Sequence, residues 1–356
     1  MMEKLVHVGF DGLDIAFKGA LSIESLETLE SALKIAKSEK AAQRVALGPN
    51  GKWFTMEKHG KQGGYAFTLT DGDTGALYSI KRSNAPSEWN IFVSVRAACF
   101  LVRPYGQVKA YVIQTLKDMG ARIADISVNR IDLAIDIHTE DFDLDLKQFI
   151  TPARSKARLY WSSEQYLFDD GEKFSAVMSG AKFQSATIGK MPNRQVILYD
   201  KGQAAIDLKQ PYWFKAWGLD RETMTGKVWR VEIRAGRGAL EKGLTKRSFD
   251  DVDAYLPTFV DKALSNIRYV ETRDGLSNVS RAKTHPLWEL AQNSAQTILE
   301  HREPPMLDED VKAIMRQQRA KMIQVKSRAV WCVALRSWAI ARKPYMQTCL
   351  KSRAMR

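Results

Sequence analysis

The sequence predicts an α+β fold: a largely antiparallel sheet with helices packed on one face, continued by a basic helical C-terminal segment. Three observations predict it. Apolar residues alternate over short runs joined by tight turns, the mark of hairpin-linked strands. Two early segments instead repeat at three- and four-residue steps, as amphipathic helices do. No strand runs into a glycine-rich phosphate loop, which sets aside a parallel doubly wound sheet.

Leu26, Leu29, Leu33 and Ala36 mark the first helix, with Ser22 as its N-cap. Tyr65–Thr70 and Ala76–Ile80 flank the glycine-containing loop Asp71–Gly75 and predict a hairpin. Asn90–Val95 is a further strand. Val112, Leu116 and Met119 mark the second helix, closed by Gly120 in the C′ position. Three more strands follow at Arg130–Asp136, Arg194–Lys201 and Trp229–Arg234. His7–Phe17 echoes Asn129–Ile135, but a shared strand pattern explains this as well as a duplication does, and no function attaches to it. His301–Pro305 reads as a linker and Asp308–Ala341 as one or two helices. Met315, Met322, Val325, Trp331, Leu335 and Trp338 give these helices an apolar stripe. The expected division is therefore 1–284 for the main domain and 285–356 for the basic helical segment.

A chain of 356 residues that is 45% apolar and 10% aromatic can bury a substantial core, which excludes an intrinsically disordered chain. Its net charge of +13 favours a polyanionic partner. Residues 311–356 hold twelve Lys or Arg and no Asp or Glu, so the excess charge is concentrated there. A solvated basic tail and an arm that docks on DNA or on the core both fit this pattern. No run reaches the roughly 18 apolar residues of a spanning helix, so no membrane partner is expected. The N-terminus carries Asp11 and Asp14 and lacks the apolar stretch of a signal peptide. Cys99, Cys332 and Cys349 show no CxxC spacing, which suits reduced thiols in a cytoplasmic protein.

Side chains alternate faces along a strand. In the first of the three later strands Ile131, Leu133, Ile135 and Ile137 oppose Arg130, Asp132, Ala134 and Asp136. In the second, Val196, Leu198 and Asp200 oppose Gln195, Ile197, Tyr199 and Lys201. In the third, Trp229, Val231 and Ile233 oppose Arg230, Glu232 and Arg234. Pairing these strands with apolar faces inward collects three carboxylates, a tyrosine and several cations on the other surface. That set suits phosphodiester cleavage, with Tyr199 attacking phosphorus and keeping the DNA end as an ester. A phenol with a pKa near 10 needs activation. Lys201, about 6.6 Å along the same face, is the expected electrostatic partner. Mg²⁺ or Mn²⁺ on Asp132 and Glu232 is the expected cofactor. Asp136 ranks behind them, because its α-carbon should lie roughly 13 Å from that of Asp132. None of the five histidines forms a His-x-His or HExxH motif. His138 is read as a surface or hydrogen-bonded residue, with an accessory ligand role as the alternative. Ion pairs on a solvated sheet face would produce the same charge alternation without any catalysis.

The ordered set Arg130–Asp136, then Thr187-Ile-Gly189-Lys190 with Arg194–Lys201, then Arg230–Arg234 resembles the Rep_trans family of replication initiation factors. That family takes in plasmid rolling-circle initiators and related conjugative relaxases. The resemblance spans about residues 120–240. It implies that Tyr199 becomes linked to a 5′-phosphate, releasing a 3′-hydroxyl, with a divalent metal held by acidic residues. It departs at Gln203–Ala205, where many members carry a glutamate, and at Lys190, where Arg or Ser is common. The expected activity is origin-specific nicking and rejoining of DNA. Arg130, Lys190, Arg194, Arg230 and Arg234 are the expected DNA contacts. A partner subunit's Tyr199 would supply the second nucleophile of termination, making a homodimer an expected partner, together with a host helicase. Two other activities fit the same residues: a non-catalytic origin binder and a hydrolytic metal-dependent nuclease. Tyr160 and Tyr166 are fallback nucleophiles. Trp161, Phe168, Tyr212, Trp213, Phe214 and Trp217 are read as core or base-stacking aromatics.

Overall fold

The computed structural model describes residues 3–152, 156–157, 173–179, 182–275, 278–300 and 303–323. The chain divides into Met1–Asp308 and Glu309–Arg356, so the first unit extends past residue 284. In the second unit the described residues are helical to residue 323. Val325, Trp331, Leu335, Trp338, Cys332 and Cys349 lie outside the described residues, as do Tyr160, Trp161, Tyr166 and Phe168.

The first unit begins with β1 (Lys4–Leu21), α1 (Ile23–Glu39), β2 (Gln43–Leu47), β3 (Lys52–Met56), β4 (Tyr65–Thr70), β5 (Ala76–Lys81) and β6 (Trp89–Arg96). Next come α2 (Ala97–Val102), α3 (Tyr105–Asp118), β7 (Ala121–Thr139), β8 (Phe149–Ile150), β9 (Lys156–Ala157), β10 (Lys173–Ser179), β11 (Lys182–Gly189) and β12 (Arg194–Asp200). It closes with α4 (Lys201–Asp207), α5 (Tyr212–Ala216), β13 (Lys227–Gly236), α6 (Arg237–Gly243), α7 (Phe249–Asn266), β14 (Arg268–Tyr269) and α8 (Pro286–Ala295).

Among the described residues, twelve strands form one sheet in the order β2-β3-β4-β5-β6-β1-β7-β13-β12-β11-β10-β9. Every pair is antiparallel except β9–β10. The α+β class follows as expected. Its spine is the long pair β1–β7, whose register runs from Lys4↔His138 to Leu21↔Ala121.

Period-two alternation gives the sheet one apolar face. Leu13, Ile15, Phe17, Val93, Leu133, Ile135, Val231 and Ile233 share a buried cluster with Leu29 and Leu33 of α1, Val112 and Leu116 of α3, Val252 and Leu256 of α7, and Trp288 of α8. Fully burying one such aliphatic side chain stabilises the fold by about 1.5–3 kcal/mol. The local signals read from sequence operate here. The Ser22 hydroxyl accepts from the Ser25 amide at the head of α1. Gly120 takes φ +82° after α3, and its amide donates to the Lys117 carbonyl. The opposite face of the sheet carries the polar residues.

Candidate functional site

The three motif strands are neighbours, β7-β13-β12, and their register sets the polar residues in rows. One row reads Tyr199–Arg230–Asp136–His7 across β12, β13, β7 and β1. The next reads Ile197–Glu232–Ala134–Gly9, and the third Gln195–Arg234–Asp132–Gly12. The predicted gathering of carboxylates, tyrosine and cations on one face is therefore present.

Tyr199 is half-buried, and its hydroxyl donates to Glu232 Oε2 at 2.9 Å. Burial raises the phenol well above its ordinary pKa; Arg230 opposes the rise and the Glu232 charge adds to it. The phenol is thus protonated at neutral pH, with a carboxylate already on its proton. Glu232 is buried, and its other oxygen accepts from Arg234 Nε at 2.6 Å. Tyr199 and Arg234 border a 440 Å³ cavity that Ser185, Gln203 and Asp207 also line. Two carboxylates stand near this cavity: Glu232, across the ladder from the Tyr199 strand, and Asp207, one helical turn beyond Gln203, whose side-chain amide donates to it at 2.8 Å.

Lys201 departs from its predicted place. The strand ends at Asp200, whose carboxylate caps α4 by accepting from the Gln203 amide at 2.9 Å, so Lys201 begins a helix. Its ammonium is buried and lies 4.6 Å from the Trp213 ring centroid. Burial, with Arg230 beside it, pushes its pKa down to about 8, while Asp11, Asp136 and Glu232 pull the other way.

Arg230 also differs from its expected role. It is wholly buried, which removes it from the DNA contacts. Its guanidinium donates twice to Asp136, at 2.5 and 2.8 Å, and through Nη1 to Asp11 at 2.5 Å, and lies 4.3 Å from the Trp213 ring centroid. Asp136 accepts in addition from Trp217 Nε1 at 2.8 Å. This carboxylate belongs to a closed ionic cluster and is not placed to hold a metal. Asp132 is likewise clasped by Arg130, Nε to Oδ1 at 2.8 Å and Nη2 to Oδ2 at 2.6 Å. Gly12 makes room for it, since a Cβ there would sit 2.7 Å from Asp132 Oδ2. Burial lifts the Asp132 carboxyl to about 6; Arg130 restrains the rise and the neighbouring Glu232 charge adds to it.

Among the described residues no three His, Cys, Asp or Glu side chains gather to hold a metal ion. Asp132, Glu232 and Asp136 each already accept from an arginine. In this arrangement the expected donor set does not fit a resident Mg²⁺ or Mn²⁺. His138 donates through Nε2 to the Thr225 carbonyl at 2.6 Å, in keeping with a hydrogen-bonded rather than a ligating histidine.

Of the remaining expected DNA contacts, Lys190 is exposed in the β11–β12 turn, and Arg194, Arg130 and Arg234 are half-buried on the strands. Tyr212, Trp213, Phe214 and Trp217 are buried, which places them in the core rather than against bases. Sequence reasoning missed Asp11 and His7. Asp11 is the extra residue between the pairs Phe10↔Leu133 and Gly12↔Asp132, so a β-bulge carries its carboxylate to Arg230. His7 sits edge-on to Trp213 at 5.3 Å, and burial lowers its pKa to about 4, leaving it neutral. The one available signal was the echo between His7–Phe17 and Asn129–Ile135, since these segments pair with each other.

No helix among the described residues is long and apolar enough to cross a membrane. No family model matches this chain, and no curated protein does. Among solved structures, it is similar to the rolling circle replication initiator protein from Geobacillus stearothermophilus, at 13% identity and a TM-score of 0.42, over 85% of this chain and 100% of the other.

Proposed function

We propose that this chain nicks and rejoins one strand of DNA at a replication origin, with Tyr199 as the nucleophile and Glu232 as the group that receives its proton. The observation that carries the reading is the 2.9 Å hydrogen bond from the Tyr199 hydroxyl to Glu232, formed beside an open cavity with Arg234 on its wall. The ordered motifs and their family resemblance supply the role in initiation. In the forward step the phenolic proton passes to Glu232 and the phenolic oxygen bonds to phosphorus. The bond from phosphorus to the 3′ oxygen breaks, and that oxygen takes a proton from water. Arg234, already held by Glu232, would face the phosphate charge that builds up. Rejoining is the reverse.

The test uses supercoiled plasmid carrying the DNA that encodes and flanks the chain, incubated with the protein and Mn²⁺ and resolved under denaturing conditions. A protein–DNA adduct, mapped to residue 199 and absent in Tyr199→Phe, is the expected result. Glu232→Gln should slow adduct formation by on the order of 10²–10⁴-fold. Nicks without an adduct would mean hydrolysis. Binding without nicks would identify an origin binder, a reading favoured by the raised phenol and the arginine on every candidate ligand.

A further inference from the structure

Strands β2–β6 form nearly half of the sheet and contribute nothing to the Tyr199 site, yet their polar face has a composition of its own. On that face these five strands carry Arg44, Lys81 and Arg96, the last paired with Asp14 of β1, and no Asp or Glu; Lys52 turns to the helix side, against Thr115 and Asp118. Three aromatic rings stand on that face, each with a cation against it. The Arg44 guanidinium lies 4.8 Å from the Trp53 ring centroid, Lys81 Nζ 5.3 Å from that of Tyr65, and Lys61 Nζ 4.7 Å from that of Phe92. Trp53 is 57% exposed although it is a large ring on a regular strand. Tyr65 and Phe92 are half-buried, with centroids 6.0 Å apart.

This face is continuous with the nicking site. A register row runs Thr70–Leu77–Ser94–Asp14–Arg130, from β4 to β7, and Arg130 is the residue that clasps Asp132. We infer that the polar face of β2–β6 is a binding track for single-stranded DNA, with Trp53, Tyr65 and Phe92 stacking on bases and their paired cations meeting phosphates. A single strand satisfies both halves of the pattern, because unpaired bases offer π-faces and the backbone offers charge. Duplex DNA hides the faces of its bases. Charge also disfavours the chain's own C-terminal stretch as occupant, since residues 324–356 carry cations and no carboxylate side chain. The track deepens the nicking reading on which it rests, since a nick frees a strand that must be held near Tyr199.

The experiment measures equilibrium binding of a labelled oligodeoxythymidine of about 20 nucleotides by fluorescence anisotropy across a salt series, on the full chain. Trp53→Ala should raise the Kd by roughly 5-fold or more, the low end of one lost base stack. Lys61→Gln, in an exposed loop, should reduce the slope of log K against log salt by about 0.7. Unchanged Kd and slope in both variants overturn the track. So does a duplex of the same length that binds as tightly and loses as much affinity in Trp53→Ala. Because the oligonucleotide is read by binding alone, loss of the Tyr199 adduct leaves this result standing. An adduct that forms normally while neither variant alters binding sinks the track and spares the nucleophile.

Discussion

Arg230→Met tests whether the ionic cluster under the phenol is a structural element of the site. The substitution keeps most of the side chain's length but leaves Asp136, wholly buried, and Asp11, 19% exposed, without the guanidinium they share. Removing one partner of a buried pair typically costs about 3–5 kcal/mol, because the remaining charge has no compensation. Asp136 is not solvated enough to discount that figure, though Trp217 still donates to it. A loss of this size is a large part of the 5–15 kcal/mol by which domains are usually stable. In urea it should lower the unfolding midpoint by about 1–1.7 M, for a slope near 3 kcal/mol per M. The double variant Arg230→Met/Asp136→Asn should recover part of the loss, since the amide leaves no buried charge. The pH dependence has a fixed sign. Burial would raise Asp11, but Arg230 and Lys201 hold it below its ordinary 3.8, so its stabilisation is present above that pH and lost below it. The gap between wild type and Arg230→Met should therefore narrow as pH falls through that range. A midpoint shift under about 0.3 M, or a double variant no more stable than the single, would refute the buried-charge reasoning.

Three further outcomes follow from the same geometry. Asp132 titrates near 6 when folded and near 3.8 when unfolded, so stability should fall as pH rises between those values; Asp132→Asn should flatten that slope in urea titrations. Lys201 has the opposite sign: with a folded value of about 8 against 10.5, stability should rise with pH across that interval, and melting curves of Lys201→Met should lack the rise. Gly189 takes φ +94°, and a Cβ there would sit 2.1 Å from the Arg194 carbonyl oxygen; Gly189→Ala should cost at least 1–3 kcal/mol in a calorimetric or denaturant assay, and a neutral result would mean the β11–β12 hairpin relaxes freely.

The alternation of faces was legible in the three motif strands because period two is a local property, and their register then set Tyr199, Glu232, Asp132 and Arg234 on one surface. The α1 cap and the β4–β5 hairpin were legible for the same reason. Lys201 was misread where locality ends: Asp200 can either extend a strand or cap a helix, and only the neighbouring packing of Trp213 decides. Arg230 and Asp136 were misassigned because residue type does not reveal burial. Their depth comes from Trp213 and Trp217, more than 70 residues away in sequence from Asp136. Asp11 depended on a bulge in β1, which alternation alone does not forecast.

The β1–β7 ladder runs unbroken in pairing direction from one end of each strand to the other and joins the two halves of the sheet. Its consequence is metric. Seven strand-to-strand steps separate β3, which carries Trp53, from β12, which carries Tyr199. At about 4.8 Å per step this sets roughly 34 Å between the two strands, measured across the sheet, before twist and any offset along the strands. The sheet thus acts as a ruler for any strand laid across it. Changes in loop length, such as at Asp71–Gly75, leave its graduations where they are, and only a change in the ladder itself would recalibrate it.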